Sequence, residues 1–482
     1  MNAAHHEFPE HLDLQELISC PEALACLSED IARRLGMLPI AISESAGCKV
    51  LIIACNDVMA VDQHERVAMH IDPKYCLQFV GSPQSQLSPA IESCYREGAS
   101  LDKLLALANS QLSVGSEKPL SEQFPILLVN ALIRQAARMR ASDIHLSPEF
   151  DSVQIRFRVD GVLLHYAAVH KSLLNSLLVR LKIMALLDIA ETRYPQDGQF
   201  RRLIDAHPID FRVSTFPTVA GENTVLRLID ASMRLDSLKA LNLPTSLTER
   251  LSTLMHSPDG LIVVCGPTGA GKSTTLFALL DQINKGALNI MTLEDPVEHR
   301  VSGIRQTTID ASRQWGYAQG LRALLRQDPD VVLVGEIRDP ESCEMALRAV
   351  STGHQILTTV HASCAHSALH RLRELNADGE ALGLGLVAVL AQRLIRKICT
   401  SCHAVDATCG ACHGTGFSGR QVIVELLEIT ADIKALLVAA ANIDEIRETS
   451  MNSGFVDMRA QAMTMVAAGE TSTEELYRVF GS

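Results

Sequence analysis

The chain has 482 residues, a length that suggests about three domains. Its 47% hydrophobic content places it among globular chains with real cores, and its net charge of −13 argues against a general nucleic-acid-binding surface while leaving room for a local basic patch. Its 13 cysteines follow a polar, acidic start (His5, His6, Glu7, Glu10), so we expect a reduced, cytoplasmic chain without a leader. The longest apolar stretch, Ala381 to Ile395, is interrupted by Gly383, Gly385, Gln392 and Arg393. It is too short and too polar for a bilayer, so no direct membrane span is expected.

Residues 1–110 read as a small first module. Ile31 to Leu38 looks helical, and the apolar runs Val50 to Ala54 and Cys76 to Val80 read as strands. Cys20, Cys26, Cys48, Cys55, Cys76 and Cys94 lack paired spacing and read as buried structural thiols. The Ser-, Gly- and Lys-bearing stretch Gly98 to Pro119 reads as a linker, with the boundary between the modules at 111–120.

A second module spans 121–235. Ser121 is expected to cap a helix running to Arg140, with Val129, Leu132, Ile133 and Ala136 on one face. Strands follow at Ser152 to Val159, Phe211 to Thr215 and Thr224 to Ile229. Arginines punctuate the module at 156, 158, 193, 212 and 227, and Arg156 and Arg158 would share one strand face. Arg212 and Arg227 each sit inside an otherwise apolar strand, a poor place for mere surface charge.

The rest of the chain, 236–482, alternates strands and helices, which predicts a mostly parallel sheet covered by helices. Strands are expected at Leu261 to Cys265, Asn289 to Glu294, Val331 to Glu336 and Gln355 to His361, with helices at Tyr317 to Arg326 and Pro340 to Val350. After the first of these strands come Gly266, Pro267, Thr268, Gly269, Ala270, Gly271, Lys272, Ser273 and Thr274. They fit G-x-x-x-x-G-K-[ST], in which glycines let backbone N–H groups curl around phosphates, Lys272 reaches the β/γ-phosphates and Ser273 completes a Mg²⁺ shell.

The other polar motifs are expected at the carboxyl ends of the strands, where such sheets bind ligands. Glu336 ends an apolar run in the manner of the second nucleotide motif, whose acid holds Mg²⁺. Glu294, Asp295 and Glu298 follow another strand, and one of them can activate the attacking water. His354 and His361 bracket a further strand, where imidazoles can contact phosphate or relay nucleotide state. Cys399, Cys402, Cys409 and Cys412 form two C-x-x-C pairs, the ligand number and spacing of a structural Zn²⁺ site, with Gly410, Gly414 and Gly416 supplying turns.

The ordered motifs 266–275, Glu-Asp-Pro-Val-Glu at 294–298, Leu-Arg-Gln-Asp-Pro-Asp at 325–330, Gly-Glu-Ile-Arg-Asp at 335–339 and Thr-Gly-His at 352–354 resemble the secretion ATPases of type II secretion and type IV pilus assembly. So do Ala-Ser-Asp-Ile-His at 141–145, Arg-Phe-Arg-Val-Asp-Gly at 156–161, Pro-Gln-Asp-Gly at 195–198 and Phe-Arg-Val-Ser-Thr at 211–215. The resemblance implies an α/β chain: a RecA-like phosphate-loop motor domain, a PAS-like α+β domain before it, and a docking or regulatory module at the start. It implies that Glu298 activates water, that Glu336 is the Mg²⁺-linked acid, that His354 and His361 are the histidine pair, and that Arg212 and Arg227 reach the γ-phosphate. It further implies ATP, Mg²⁺ and Zn²⁺ as cofactors and a homo-hexamer in the cytoplasm, peripheral to the inner membrane through a platform protein and a membrane-anchored docking protein. The paired cysteines and the first module favour the assembly and secretion branches over retraction. Two departures stand out: Gln199 where the family has arginine, and a shortened spacer between the cysteine pairs. The first keeps open a nucleotide-binding regulatory subunit without turnover. A DNA-translocating motor is disfavoured by the acidic charge and the absence of a basic, aromatic-interleaved stretch.

Overall fold

The structure, a computed structural model, describes residues 12–14, 17–18, 20–45, 48–97, 101–113, 124–204, 207–230, 237–310, 315–375 and 378–481. It divides into two compact units, Met1–Met233 and Arg234–Ser482.

The first unit begins with β1 (Leu17–Ile18), α1 (Pro21–Leu24), α2 (Glu29–Leu35), β2 (Met37–Ser45), β3 (Cys48–Cys55), α3 (Val61–Ala68), β4 (Tyr75–Gly81) and α4 (Gln84–Glu97). The helix expected through Leu38 stops at Leu35. Gly36 takes the left-handed conformation (φ 63°) that ends a helix, and Met37, Leu38 and Ile40 run on as buried strand. Strands β2, β3 and β4 form one small sheet. Cys20, Cys55 and Cys94 are buried as expected, but Cys26 is half-buried and Cys48 and Cys76 are exposed. The last two stand at the outer ends of their strands, where the apolar runs have not yet entered the core.

The expected linker is also corrected. Residues 101–113 form a helix, α5 (Leu101–Ser113), which buries Leu101, Leu104, Leu105 and Ala108 in the core of the second module. That 3–4 spacing outweighs the Ser and Gly cues nearby. Residues 114–120 and Ser121 lie outside the described residues. The unit continues with α6 (Phe124–Arg138), β5 (Asp143–Pro148), β6 (Ser152–Val159), β7 (Val162–His170), α7 (Leu174–Met184), β8 (Gln196–Ile204), β9 (His207–Thr218) and β10 (Gly221–Asp230). Its seven-stranded sheet has the order β1-β8-β9-β10-β5-β6-β7. One face carries Ile144, Leu146, Phe157, Phe211, Val213 and Leu226 into a core shared with α5, α6 and α7. The edge strand β1 comes from the first module: Leu17 pairs with Leu203 and Ile18 with Ile204, in parallel. Leu203 in turn buries in that module's core.

The second unit runs α8 (Thr245–Met255), β11 (Gly260–Cys265), α9 (Lys272–Ile283), β12 (Ile290–Glu294), β13 (Ile304–Thr308), α10 (Tyr317–Leu324), β14 (Val331–Val334), α11 (Pro340–Ser351), β15 (Gln355–Val360), α12 (Ala365–Glu374) and α13 (Gly379–Gly385). It closes with β16 (Leu386–Ile398), β17 (Phe417–Glu428), α14 (Ala431–Val438), α15 (Ile443–Asn452), α16 (Met458–Ala467) and α17 (Thr473–Phe480). The sheet order is β13-β12-β14-β15-β11-β16-β17, and every pair is parallel except the β16–β17 hairpin. Successive residues serve opposite faces: Leu261, Val263 and Cys265 enter one core, Ile262 and Val264 the other. Such two-sided burial explains why these strands read as unbroken apolar runs. The apolar stretch at 381–395 is the end of α13 followed by β16. Among the described residues no helix is long and apolar enough to cross a membrane.

His366 locks α12 against α15. Its Nε2 lies 2.9 Å from Ser450 Oγ, and its ring meets Phe455 edge-on. Burial holds its pKa down to about 4, from an ordinary value of 6.5. The unfolded chain therefore binds a proton that the fold refuses. The stabilisation is complete above pH 6.5 and is lost as pH falls toward 4. Between pH 7.5 and 5 we expect His366 to cost about 1–2 kcal/mol of unfolding free energy. Urea titrations of wild type and His366→Gln at both pH values check this; an identical pH dependence in the two proteins would rule it out.

Candidate nucleotide site and cysteine cluster

The phosphate loop joins β11 to α9. Gly266 (φ 153°), Gly269 (φ 77°) and Gly271 (φ 85°) all have positive φ, and Gly271 is the residue from which α9 starts. A Cβ on Gly266 would lie 2.5 Å from the Gln392 carbonyl oxygen, so β16 is the floor of the loop. Gln392 also braces it from the side, its Nε2 donating to Ala270 O at 2.6 Å. Gln392 was legible only as a polar break in an apolar run; its fully buried position in β16 is what gives it this role. The Lys272 ammonium donates to Gly266 O (2.9 Å) and Pro267 O (3.1 Å), and burial lowers its pKa. Thr268, Gly269 and Ser273 are exposed. The N–H groups of the loop and of the helix start thus surround an open anion site.

Four neighbouring strands, β12-β14-β15-β11, deliver their carboxyl ends to this edge. Glu336 follows β14 and is largely buried, with its side chain 13% exposed. Its carboxylate is paired with Arg338 and with His361 Nε2, the latter at 3.3 Å. Hard carboxylate and hydroxyl oxygens such as those of Glu336 and Ser273 suit Mg²⁺. Gly335 is required by its neighbours: a Cβ there would meet Tyr317 Oη at 2.7 Å and Leu293 O at 3.1 Å.

The three acids after β12 separate into two kinds. Glu294 is the last residue of the strand and is buried, accepting from Thr292 Oγ1 (2.6 Å) and Gln306 Nε2 (2.9 Å). It holds the strand end rather than facing solvent. Asp295 and Glu298 are exposed.

The histidines separate too. His361 stands at the carboxyl end of β15, against Glu336. His354 precedes the strand, its Nδ1 within 2.9 Å of Ala349 O and 3.1 Å of Thr352 Oγ1. A strand of this length puts the two about 20 Å apart. The expectation that every polar motif reaches the ligand-binding edge therefore fails for His354, because a strand with a histidine at each end presents only one of them there.

Arg212 and Arg227 belong to the first unit. Across its sheet, Gln199 pairs with Arg212, Arg212 with Arg227, Arg227 with Asp143 and Asp143 with Arg158, a polar row opposite the apolar face. Asp143 binds Arg227 at 3.0 Å and Arg158 at 3.4 Å. Arg212 has no ion-pair or hydrogen-bond partner among the described residues, which leaves its guanidinium available to an anion. Gln199, in the place of a family arginine, is the exposed end of this row.

The cysteine pairs cap the β16–β17 hairpin. The Sγ atoms of Cys399, Cys402, Cys409 and Cys412 all lie within 4.8 Å of one another, and Cys402 and Cys412 are 3.6 Å apart. A tetrahedron of Zn–S bonds has S···S edges of roughly 3.8 Å, so four thiols gathered this closely are compatible with one zinc ion. Backbone N–H groups of Cys402 and Ser401 hold the Cys399 thiol down to about 7, the direction that favours thiolate. The shortened spacer is accommodated by Gly414 (φ 75°), where a Cβ would lie 2.3 Å from Ala407 O, and by left-handed His403, Ala404 and His413. Gly410 has no such constraint.

Residues 120–478 match the family model of type II/IV secretion system proteins, and residues 8–101 match the MshEN domain. The chain is 42% identical over 360 residues to type II secretion system protein HxcR of Pseudomonas aeruginosa, covering 73% of this chain and 77% of that protein. It is 33% identical to the type IV pilus assembly ATPase PilB of Thermus thermophilus, over 97% of this chain and 55% of PilB. Among solved structures, the ADP-bound pilus retraction motor PilT aligns with a TM-score of 0.53 at 26% identity, over 73% of this chain and 96% of PilT. With its phosphate loop and its parallel sheet, the chain belongs to the type II/IV secretion system protein family, as an ATP hydrolase built on a RecA-like motor domain.

Proposed function

We propose that the chain is a hexameric ATPase that powers assembly of a pseudopilus for type II secretion or of a type IV pilus. One observation carries this reading: the carboxyl ends of four parallel strands bring the phosphate loop, the acidic segment, Glu336 and His361 to one edge. Loop amides and Lys272 bind the phosphates of ATP. Ser273 and Glu336 hold Mg²⁺, which neutralises phosphate charge when bound. Glu298, exposed beyond β12, orients the attacking water, with Asp295 beside it in sequence. Arg212 and Arg227 serve charge that grows on the transferred phosphoryl group, within one chain or across a ring boundary. Glu294 has a supporting role, since its carboxylate is already used. The four cysteines hold one structural Zn²⁺. The motor works in the cytoplasm and turns an inner-membrane platform protein, with residues 1–110 docking to a membrane-anchored partner.

The test is ATP turnover and sizing in ATP for wild type and Glu298→Gln. We expect a ring fraction in both proteins and turnover reduced at least about 100-fold in the variant, the scale of losing a general base. Wild type that binds ATP in a ring without turnover, even with the platform protein's cytoplasmic domain added, would instead support the regulatory reading that Gln199 leaves open.

A further inference from the structure

The Glu336 carboxylate already carries a cation of the chain's own. Glu336 and Arg338 are two residues apart around Ile337, which is 3% exposed and whose N–H donates to Thr359 O at 2.9 Å. With Ile337 pinned inward, the side chains on either side of it share one side of the segment. Arg338 pairs with Oε1 of Glu336 while His361 takes Oε2, so both oxygens are occupied. A largely buried carboxylate left bare would be costly, and the guanidinium removes that cost. Yet the Arg338 side chain is 61% exposed, so it can leave for water without a burial penalty of its own. Asp295, exposed after the neighbouring strand, adds its negative charge to the surroundings of Arg338.

We propose that Arg338 is a place-holder cation: it occupies Glu336 when no metal–nucleotide is present and competes with Mg²⁺ for that carboxylate. This rests on the reading of Glu336 as the metal-linked acid. Arg338 is thus a positioning residue that sets how much Mg²⁺ the site demands, and it keeps the carboxylate aimed toward the site between turnovers. It makes no contact with the phosphates in this role. Its loss should strengthen metal binding, whereas loss of a phosphate-binding arginine would weaken nucleotide binding with or without metal.

The experiment uses the full chain and two readouts that do not depend on turnover. Fluorescent N-methylanthraniloyl-ADP is titrated in EDTA and at graded Mg²⁺, and free Mn²⁺ is followed by electron paramagnetic resonance in the presence of ADP. For Arg338→Gln we expect the divalent-ion concentration at half-saturation to fall about twofold to fivefold, the scale of one partly exposed ion pair. Affinity in EDTA should not change, and Arg338→Lys, which keeps a cation, should return the metal requirement toward wild type. An unchanged or raised metal requirement in Arg338→Gln, or weaker nucleotide binding in EDTA, would overturn the proposal. If wild type binds no nucleotide under any condition, the nucleotide-site reading itself falls, and this proposal with it.

Discussion

Lys272→Ala is expected to lose ATP turnover by at least about 100-fold in kcat/KM, equivalent to roughly 3 kcal/mol or more of transition-state stabilisation. The structure shows why the loss should be chemical rather than structural. Lys272 Nζ rests on two carbonyls of its own loop, Gly266 O and Pro267 O, and the bond to Pro267 O lies at the exposed side of the loop. The loop itself is shaped by its glycines and by the Gln392 brace from β16, neither of which the substitution touches. The variant should therefore keep its thermal melting point within about 1 °C, as expected of a substitution that opens no core cavity. Lys272→Arg should not rescue, because a planar guanidinium does not replace a compact ammonium inside a closed loop. The check is steady-state hydrolysis beside calorimetry. Full turnover by Lys272→Ala would remove the phosphate loop from the chemistry.

The second large effect concerns metal. Protein purified without chelator is expected to carry one zinc per chain by elemental analysis, and the double variant Cys402→Ser, Cys412→Ser none. These two thiols are buried, and serine in their place leaves a hydroxyl that is a poor zinc ligand. Binding of structural zinc is worth about 10–16 kcal/mol in small peptides. Here only the hairpin tip depends on it, since the strands below are paired from Ala388–Glu428 to Ile398–Phe417. We expect the variant to lose about 3 kcal/mol of stability and to gain protease cleavage between residues 399 and 416. Zinc-free wild type with an intact, protease-resistant hairpin would defeat the metal assignment.

Much of the motor domain was legible because its residues obey one rule at a time. Apolar runs such as Val331 to Val334 can only be buried strands in an alternating chain, and glycines at 266, 269 and 271 mark a backbone that must approach an anion. What escaped were residues serving two environments. Gln392 reads as an interruption of an apolar stretch, yet its amide is the brace of the phosphate loop. Arg338 lies inside a motif whose acid drew the attention, and its pairing depends on Ile337 turning inward. His354 matched its motif, but the length of β15 carries it to the far edge of the sheet. Glu294 looked like one of three equivalent acids until burial and two donors set it apart. In the first unit, the helix at 101–113 was hidden because its apolar spacing lies beside flexible-looking residues. The cross-strand row from Gln199 to Arg158 could not be seen at all, since register across strands far apart in sequence leaves no local trace.

The two-residue strand β1 has a mechanical meaning. It is joined side by side to β8, the strand that also bears Gln199, and Leu203 plugs into the first module from the other direction. A tug on the first module along this edge would load both backbone pairings in shear, together, before either could open. Small displacements are thereby passed to the arginine-bearing sheet. Among the described residues the seam consists of these two pairings, and parting them would leave the other six strands of the sheet paired.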